Sequence, residues 1–303
     1  MTRRLRPLLA LGLLGLLTPG GLPAQDSPAP SPITQGRVDI GGRSLALHCL
    51  GDGEPTVVVE TGLGDAGIPW TPFQHRMAEL SRTCVYARAG LGDSDPPGPG
   101  PRTVDAVVDD LAALLDRAHL PAPYILVGHS LGGLAARRFA SRYSDETAGL
   151  LLLDPSHEEM MVLSRARGSA SVQTFMDAFE AHRKTQPPIE GIEDLGAYLE
   201  RFETELLADL PLIVLTSTRE PPAMRKELLP ESLHGVFEAA EEDLAVANRS
   251  MLVMLSHLHQ DIARLSSRGR QQSVDDAGHY IHADQPEAVL AALAELLEIA
   301  RSQ

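Results

Sequence analysis

The chain has 303 residues, of which 43% are hydrophobic and 22% charged, a composition typical of a folded globular protein. Its 41 acidic residues outnumber its 26 basic ones and give a net charge of −15, so neither nucleic acid nor an anionic lipid surface is an expected partner. Two cysteines exclude a disulfide-dense scaffold and a Cys-rich zinc module.

The chain begins with a segment that is typical of a secretory signal peptide. Arginines at positions 3, 4 and 6 precede the apolar run Leu8–Leu17, and small residues with prolines follow as far as Ala24. The apolar run is shorter than the roughly 20 residues that a membrane-spanning helix needs. We therefore expect residues 1–24 to be removed from a secreted or periplasmic protein that has no stable membrane span. The alternative is that they remain as an N-terminal membrane anchor.

Residues 25–36 begin with the proline-rich stretch QDSPAPSP and are expected to form a disordered lead-in. Two later segments resemble strands, and each carries a cysteine: Cys49 ends Ser44–Cys49, and Cys84 opens Cys84–Tyr86. An oxidising compartment lets two cysteines pair if their strands are neighbours. The same pattern is compatible with two separate buried thiols, so it leaves the pairing open.

Short apolar runs alternate with helical patterns along the rest of the chain. The runs cover residues 56–60, 124–127, 149–154, 211–216 and 270–274. The segments with helical periodicity include residues 103–118, 131–143, 239–265 and 286–300. Continuously apolar strands are covered on both faces, and their alternation with helices indicates a mostly parallel sheet. The predicted fold class is therefore α/β.

Residues 156–210 interrupt this alternation. They are polar and charged, have helical propensity and contain no clear strand. An insertion of this length between two core strands predicts a helical cap over the carboxyl edge of the sheet. The folded chain is thus divided into an α/β core, residues 37–155 and 211–303, and a cap insertion, residues 156–210.

The strongest chemical motif is Gly128-His129-Ser130-Leu131-Gly132, which has the form G-x-S-x-G. A strand pattern leads into it and a helical pattern leaves it, and this context predicts the strand-turn-helix of a nucleophile elbow. Such a turn strains the serine backbone, while Gly128 and Gly132 let neighbouring elements pack closely. Ser130 would then lie at a helix N-terminus, where backbone amides favour a developing anion. We assign His129 a structural role.

Ser130 needs a base to remove its proton, and His279 is the best placed of the eleven histidines. It lies between the last predicted strand and the final predicted helix, on a loop at the same carboxyl edge of the sheet as Ser130. The order of serine before histidine also suits this architecture. His282 is the alternative base. His257 and His259 fall on different faces of one helical pattern, so we expect surface residues rather than a metal-binding pair.

The acid that orients the base has two candidates. Asp154 ends the strand pattern that follows the elbow helix, and Glu220 follows the next strand. Either carboxylate could accept the imidazole N–H, fix its tautomer and stabilise the imidazolium. We favour Asp154 because its side chain has one fewer rotatable bond to restrain, and Glu220 is the alternative.

An acyl-transfer site also needs two N–H donors for the oxyanion of its tetrahedral intermediate. The amide of Leu131, directly after Ser130, is expected to supply one of them. The other is expected from the loop after residues 56–60, which reads Thr61-Gly62-Leu63-Gly64-Asp65. Glycines in this loop let the backbone turn its amides toward the serine, and we assign the second donor to Leu63.

Taken together, these motifs resemble the α/β-hydrolase superfamily over residues 37–303. The resemblance is closest to secreted or membrane-associated bacterial hydrolases whose oxyanion loop reads E-[TS]-G-L-G. The matching segments are Glu60–Gly64, Thr83–Tyr86, Arg88–Gly90, Val127–Gly133, Asp154–Glu158, Gly278–His282 and Asp284–Pro286.

This resemblance implies an eight-stranded sheet, with Ser130 after the fifth strand and His279 after the eighth. It also places the second and fourth strands side by side, which favours a disulfide between Cys49 and Cys84. Two positions depart from the usual pattern of the superfamily. Ala87 stands between Tyr86 and Arg88 where relatives usually carry an aspartate, and Glu220 stands where an aspartate usually follows the seventh strand. Many members instead use an acid after the sixth strand, where this chain has Asp154.

We therefore expect a serine hydrolase that cleaves carboxylic esters, with amides as a further substrate class, through an acyl-enzyme on Ser130. The expected partner is a small-molecule ester, and no metal or organic cofactor is implied. A lipase, a peptidase or a C–C hydrolase would use the same three residues. A catalytically silent ligand-binding protein with this fold is the alternative outside enzymes. The sequence leaves the oligomeric state open.

Overall fold

The computed structural model describes residues 32 and 34–303, except for residues 68–69, 201, 203–204, 221–225 and 227–228. The predicted signal peptide, residues 1–24, lies outside the described residues, as does most of the predicted lead-in. The lead-in ends earlier than expected, because Gln35 and Gly36 already belong to the first strand. Only Val38 is buried in that strand, so it carries no apolar pattern that predicts a strand.

Among the described residues, eight strands form one sheet, in the spatial order β1-β2-β4-β3-β5-β6-β7-β8. The strands are β1 (Gln35–Asp39), β2 (Ser44–Leu50), β3 (Thr56–Glu60), β4 (Thr83–Tyr86), β5 (Tyr124–His129), β6 (Thr147–Leu153), β7 (Leu212–Ser217) and β8 (Gly269–Val274). Only the pairings of β1 with β2 and of β2 with β4 are antiparallel. The predicted α/β fold with an eight-stranded, mostly parallel sheet is confirmed.

Helices follow most of the strands and cover both faces of the sheet. They are α1 (Thr71–Ala78), α2 (Val104–Arg117), α3 (Gly132–Arg142), α4 (Met160–Arg167), α5 (Ala170–Arg183), α6 (Leu195–Glu200), α7 (His234–Glu238), α8 (Glu241–Ala263), α9 (Ile281–Asp284) and α10 (Pro286–Arg301). Within the described part of the chain, no helix combines the length and the apolar character needed to cross a bilayer.

Side chains of the central strands alternate between two buried clusters, one on each face of the sheet. Val58 of β3 belongs to the cluster covered by α2 and α3. Its neighbours Val57 and Val59 belong to the opposite cluster, which α1 and α10 cover. Burial of each such side chain contributes about 1.5–3 kcal/mol to the free energy of folding. Because both faces of the sheet carry such side chains, helices must cover both faces.

A disulfide joins two adjacent strands at one side of the sheet. Cys49 of β2 lies directly opposite Cys84 of β4, with 4.0 Å between their Cα atoms, and the two sulfurs are bonded. The structure therefore contains the pairing that the resemblance favoured. The bond links positions 35 residues apart and so restricts the unfolded chain.

The helices above the carboxyl edge of the sheet come from two stretches of the chain. The predicted cap insertion contains α4, α5 and α6, and the segment between β7 and β8 adds α7 and the first part of α8. Phe175 of α5 packs on Phe237 of α7, with 5.8 Å between ring centroids, and both join Ala240 in a separate buried cluster. We call α4, α5, α7 and the first half of α8 the helical layer. Part of the predicted core segment 211–303 thus belongs to this layer.

Candidate active site

Ser130 occupies the tight turn between β5 and α3, and its φ angle is +52°. This backbone conformation is rare for a residue with a side chain. Three backbone hydrogen bonds hold it. The Ser130 carbonyl accepts from the amides of Gly133 (3.0 Å) and Ser156 (2.9 Å), and the Ser130 amide donates to the Leu153 carbonyl (3.2 Å). The strained turn lifts the serine above the sheet at the start of α3, the place that the G-x-S-x-G motif predicts.

Close packing explains the two glycines around this turn. A Cβ atom on Gly128 would lie 2.9 Å from the Cβ of Ala136, so a side chain there would push α3 away from β5. A Cβ atom on Gly132 would lie 2.3 Å from the carbonyl oxygen of Glu60 at the end of β3. The glycine before the serine therefore brings the helix close to its own strand, and the one after it brings the helix close to the oxyanion loop.

His279 and Asp154 form a hydrogen-bonded pair at the same edge of the sheet. The Nδ1 of His279 lies 2.7 Å from Oδ2 of Asp154, and the other carboxylate oxygen accepts from the amide (3.0 Å) and the hydroxyl (2.8 Å) of Ser217. Burial alone would raise the pKa of the Asp154 carboxyl, but the hydrogen bonds from His279 and Ser217 hold that pKa below its usual value. An ionised Asp154 accepts the Nδ1–H and leaves Nε2 of His279 as the free proton acceptor.

The other two candidates for these roles lie elsewhere. Glu220 is exposed on the loop after β7, while His279 bonds to Asp154. His282 is buried and its ring stacks on Trp70, with 3.9 Å between ring centroids. Burial lowers the pKa of His282 to about 4. The structure thus pairs His279 with Asp154 and places His282 in the core.

His129 supports the loop that carries His279. Its Nε2 lies 3.0 Å from the backbone oxygen of His279, and its ring is almost fully buried. Burial lowers the pKa of His129 to about 3, so the ring is neutral and Nε2–H can donate to that carbonyl. This contact agrees with the structural role assigned from the sequence.

His259 corrects one expectation. His257 is exposed, as expected, but His259 is fully buried. It lies in hydrogen-bond range of the Thr216 hydroxyl (2.9 Å) and the Pro155 carbonyl (2.9 Å). The reason is that the second half of α8 packs on β7. The stripe Met254, Leu258 and Ile262 beside His259 was the signal for burial.

Among the described residues, no group of three or more His, Cys, Asp or Glu could hold a metal ion.

A cleft of about 250 Å³ brings the predicted residues together. Ser130, Asp154 and His279 line it, with further side chains from the core and from the helical layer. Among the described residues, the Ser130 hydroxyl makes no hydrogen bond, so the serine and the histidine share the cleft without a hydrogen bond between them. In enzyme structures without substrate, the hydrogen bond between a nucleophile and its base is often long or poorly aligned.

The predicted oxyanion loop lies directly against this turn. A Cβ atom on Gly62 would lie 3.4 Å from the Cβ of Ser130. In the part of the chain that the structure describes, the amide nitrogens of Leu63 and Leu131 have no hydrogen-bond acceptor. The next amide, that of Gly64, is already bonded to Glu190 at 3.0 Å. The two amides assigned from the sequence are therefore free to donate to a ligand.

A buried ionic cluster behind the loop was not found from the sequence. Arg88 lies between the carboxylates of Glu60 and Glu190, and Tyr86 donates to Glu60. All four side chains are buried. Burial raises the pKa of the Glu60 carboxyl even though Arg88 opposes the shift. Glu60 and Arg88 lie in segments that carried the resemblance, but no pattern in the cap insertion distinguished Glu190.

Comparison with known proteins agrees with the α/β fold described above. The profile of a family described as "Alpha/beta hydrolase family" matches residues 47–292. An uncharacterized protein of Bacillus subtilis, YqjL, is 26% identical over 252 residues, which cover 81% of this chain and 85% of YqjL. A probable transporter of Hormonema carpetanum, efuK, is 34% identical over 131 residues, but these cover 41% of this chain and only 19% of efuK.

Among solved structures, a thermophilic esterase from Thermogutta terrifontis is similar in fold. It has a TM-score of 0.58 and 22% sequence identity, and the alignment covers 88% of this chain and 99% of the esterase. At this level of identity, the similarity concerns the fold alone.

Proposed function

The chain belongs to the alpha/beta hydrolase family, and we propose that it is a serine hydrolase that cleaves carboxylic esters through an acyl-enzyme on Ser130. The observation that carries this proposal is the arrangement at one cleft. A serine on a strained turn shares this cleft with a histidine that is bonded to a buried carboxylate. The esterase from Thermogutta terrifontis is an example of a protein with a similar fold that is named for this class of reaction.

The proposed reaction assigns one task to each group. His279 Nε2 takes the proton from Ser130 as the serine oxygen attacks the ester carbonyl carbon, and the amides of Leu63 and Leu131 bind the oxyanion that forms. The C–O bond to the alcohol then breaks, and His279 donates its proton to the leaving oxygen. Water attacks the acyl-enzyme by the same route and releases the acid, which restores Ser130. Asp154 keeps the imidazole oriented and stabilises its protonated form.

The surroundings of the cleft favour esters with an apolar chain. Asn248 and Met251 line both the cleft and a larger groove of about 720 Å³ between α4, α5 and α8. The groove is lined mainly by apolar side chains, among them Met176 and Met254. Methionine side chains adapt to ligands of varied shape. We therefore propose that the groove receives an aliphatic chain of the substrate.

A fluorophosphonate probe tests the proposed mechanism. The probe should label the full chain at Ser130, and the Ser130→Ala variant, confirmed as folded, should not be labelled. A series of p-nitrophenyl esters should then show kcat/KM rising from acetate to octanoate. Folded protein that is neither labelled nor active on any ester would support a ligand-binding role and overturn the proposal.

We also propose that the mature protein is secreted or periplasmic. The order of basic, apolar and small residues in positions 1–24 supports this, and so does a disulfide, which persists in oxidising compartments. Expression with residues 1–24 should yield an exported chain that begins at Gln25. A chain that stays in the membrane fraction with its N-terminus intact would indicate an anchor instead.

A further inference from the structure

The loop that carries the proposed oxyanion donor is held from behind by Arg88. The Nη1 of this residue donates to the Thr61 carbonyl at 2.6 Å, and Nη2 donates to the Gly62 carbonyl at 2.6 Å. Arg88 is in turn held by Glu190, which accepts from Nε at 2.5 Å and from Nη2 at 2.9 Å. Glu190 belongs to the cap insertion, so a bidentate ion pair joins this insertion to the oxyanion loop.

The planarity of the peptide bond explains what this contact does. The Gly62 carbonyl and the Leu63 N–H belong to one trans peptide unit and point in opposite directions. Arg88 and the amide of Asp65, which donates at 3.1 Å, both hold the Gly62 carbonyl, so the Leu63 N–H is directed away from Arg88. Glu190 also accepts the next amide, that of Gly64, at 3.0 Å. The loop is thus fixed on both sides of the amide that remains free.

The turn that carries Glu190 is itself strained and tightly held. Glu190 has a φ angle of +46° and is almost fully buried. A short bridge between Ile189 and Ile192 closes the turn, and the Arg183 side chain donates to the Ile192 carbonyl at 3.3 Å. A strained, buried, charged residue persists only where its surroundings determine its conformation, and such residues cluster at functional sites.

We propose that Glu190 is a positioning residue for ester cleavage. Through Arg88 and Gly64 it sets the direction of the Leu63 N–H, although it touches no substrate itself. The cap insertion then does more than enclose the cleft, since Glu190 docked on Arg88 contributes to aiming the oxyanion donor. This inference rests on the proposed function.

The test compares Glu190→Gln and Glu190→Ala with a matched control, Glu193→Gln. Glu193 is exposed in the same segment. Each variant is assayed on p-nitrophenyl butyrate and titrated with an alkylboronic acid, which forms a tetrahedral adduct on an active-site serine. We expect kcat to fall about 10-fold for Glu190→Gln and about 100-fold for Glu190→Ala with little change in KM, because one oxyanion donor contributes about 10²- to 10³-fold. The affinity for the boronic acid should fall by the same factor as kcat/KM.

Thermal unfolding separates this role from a purely structural one. If the Glu190 variants unfold at a lower temperature but keep the wild-type kcat and boronic acid affinity below their transitions, the positioning role is overturned. The Gln variant keeps the size of the side chain and decides the matter if the Ala variant does not fold. If the wild-type protein is neither labelled by the fluorophosphonate nor active on esters, the proposed function fails and this inference fails with it.

Discussion

Two buried carboxylates support the candidate active site, and their partners differ in exposure. Asp154 bonds to His279, whose side chain is 48% exposed, whereas Glu190 bonds to Arg88, whose side chain is 3% exposed. A histidine that exchanges protons with a substrate must face the cleft, but an arginine that only holds backbone carbonyls can be enclosed. The first pair is therefore suited to proton transfer, and the second is suited to keeping a loop rigid.

Removing the proposed nucleophile should have the largest effect on activity. We expect Ser130→Ala to lower kcat on p-nitrophenyl esters by about 10⁴-fold or more. Its unfolding midpoint should stay close to that of the wild type. A folded variant that retains most of the activity would show that another residue attacks the ester.

Substitution of Asp154, the hydrogen-bond partner of His279, should have the second largest effect on activity. In Asp154→Asn, the amide would donate to Nδ1 and stabilise the wrong tautomer, so kcat should fall by about 10³-fold. Glu220→Gln is the matched control on the neighbouring exposed loop and should change kcat less than twofold. If Glu220→Gln is the variant that loses activity, the assignment of the acid is wrong.

Substitution of Arg88, the enclosed partner of Glu190, should lower the free energy of unfolding. Arg88→Met leaves the carboxylates of Glu60 and Glu190 buried without their cation, and such a change costs about 3–5 kcal/mol. Urea denaturation measures the free energy of unfolding. The control is Arg264→Met, which breaks an exposed pair with Asp261 and should cost less than about 1 kcal/mol. Equal stability of the two variants would contradict the prediction that Arg88 stabilises the buried cluster.

The buried histidines His129 and His282 should make the free energy of unfolding depend on pH. Burial lowers the pKa of His129 to about 3 and that of His282 to about 4, while an unfolded histidine titrates near about 6.5. Below about pH 6.5, the unfolded chain therefore binds more protons than the folded chain. The stabilisation that the two neutral histidines contribute is present above this pH and is lost as the pH falls toward their folded-state pKa values. Each histidine should remove about 2 kcal/mol of unfolding free energy between pH 7 and pH 5.

Urea titrations at pH 7 and pH 5 measure this loss. The variant His282→Gln should lose about 2 kcal/mol less than the wild type over the same interval. An unchanged difference between the two pH values would show that His282 does not titrate on unfolding.

The sequence predicted those parts of the site whose residues are contiguous in the chain. The turn at Ser130 was visible because strand, glycine spacing and helix are contiguous in the sequence, and its position in the structure matches that pattern. The sequence favoured Asp154 over Glu220 only by the shorter side chain, because both follow neighbouring strands and the packing of their loops decides which one reaches His279. Glu190 was missed for a similar reason, since its partner Arg88 lies 102 positions away in the chain.

The two-part origin of the helical layer has a consequence for engineering. A chimera that takes residues 156–210 from a relative would leave Phe237 and Ala240 facing a foreign surface, because their partner Phe175 would be gone. The same graft would discard Glu190 and leave the Arg88 guanidinium without its bidentate partner. A transplant intended to change substrate choice should therefore move α7 and the start of α8 with the insertion and retain a glutamate at position 190.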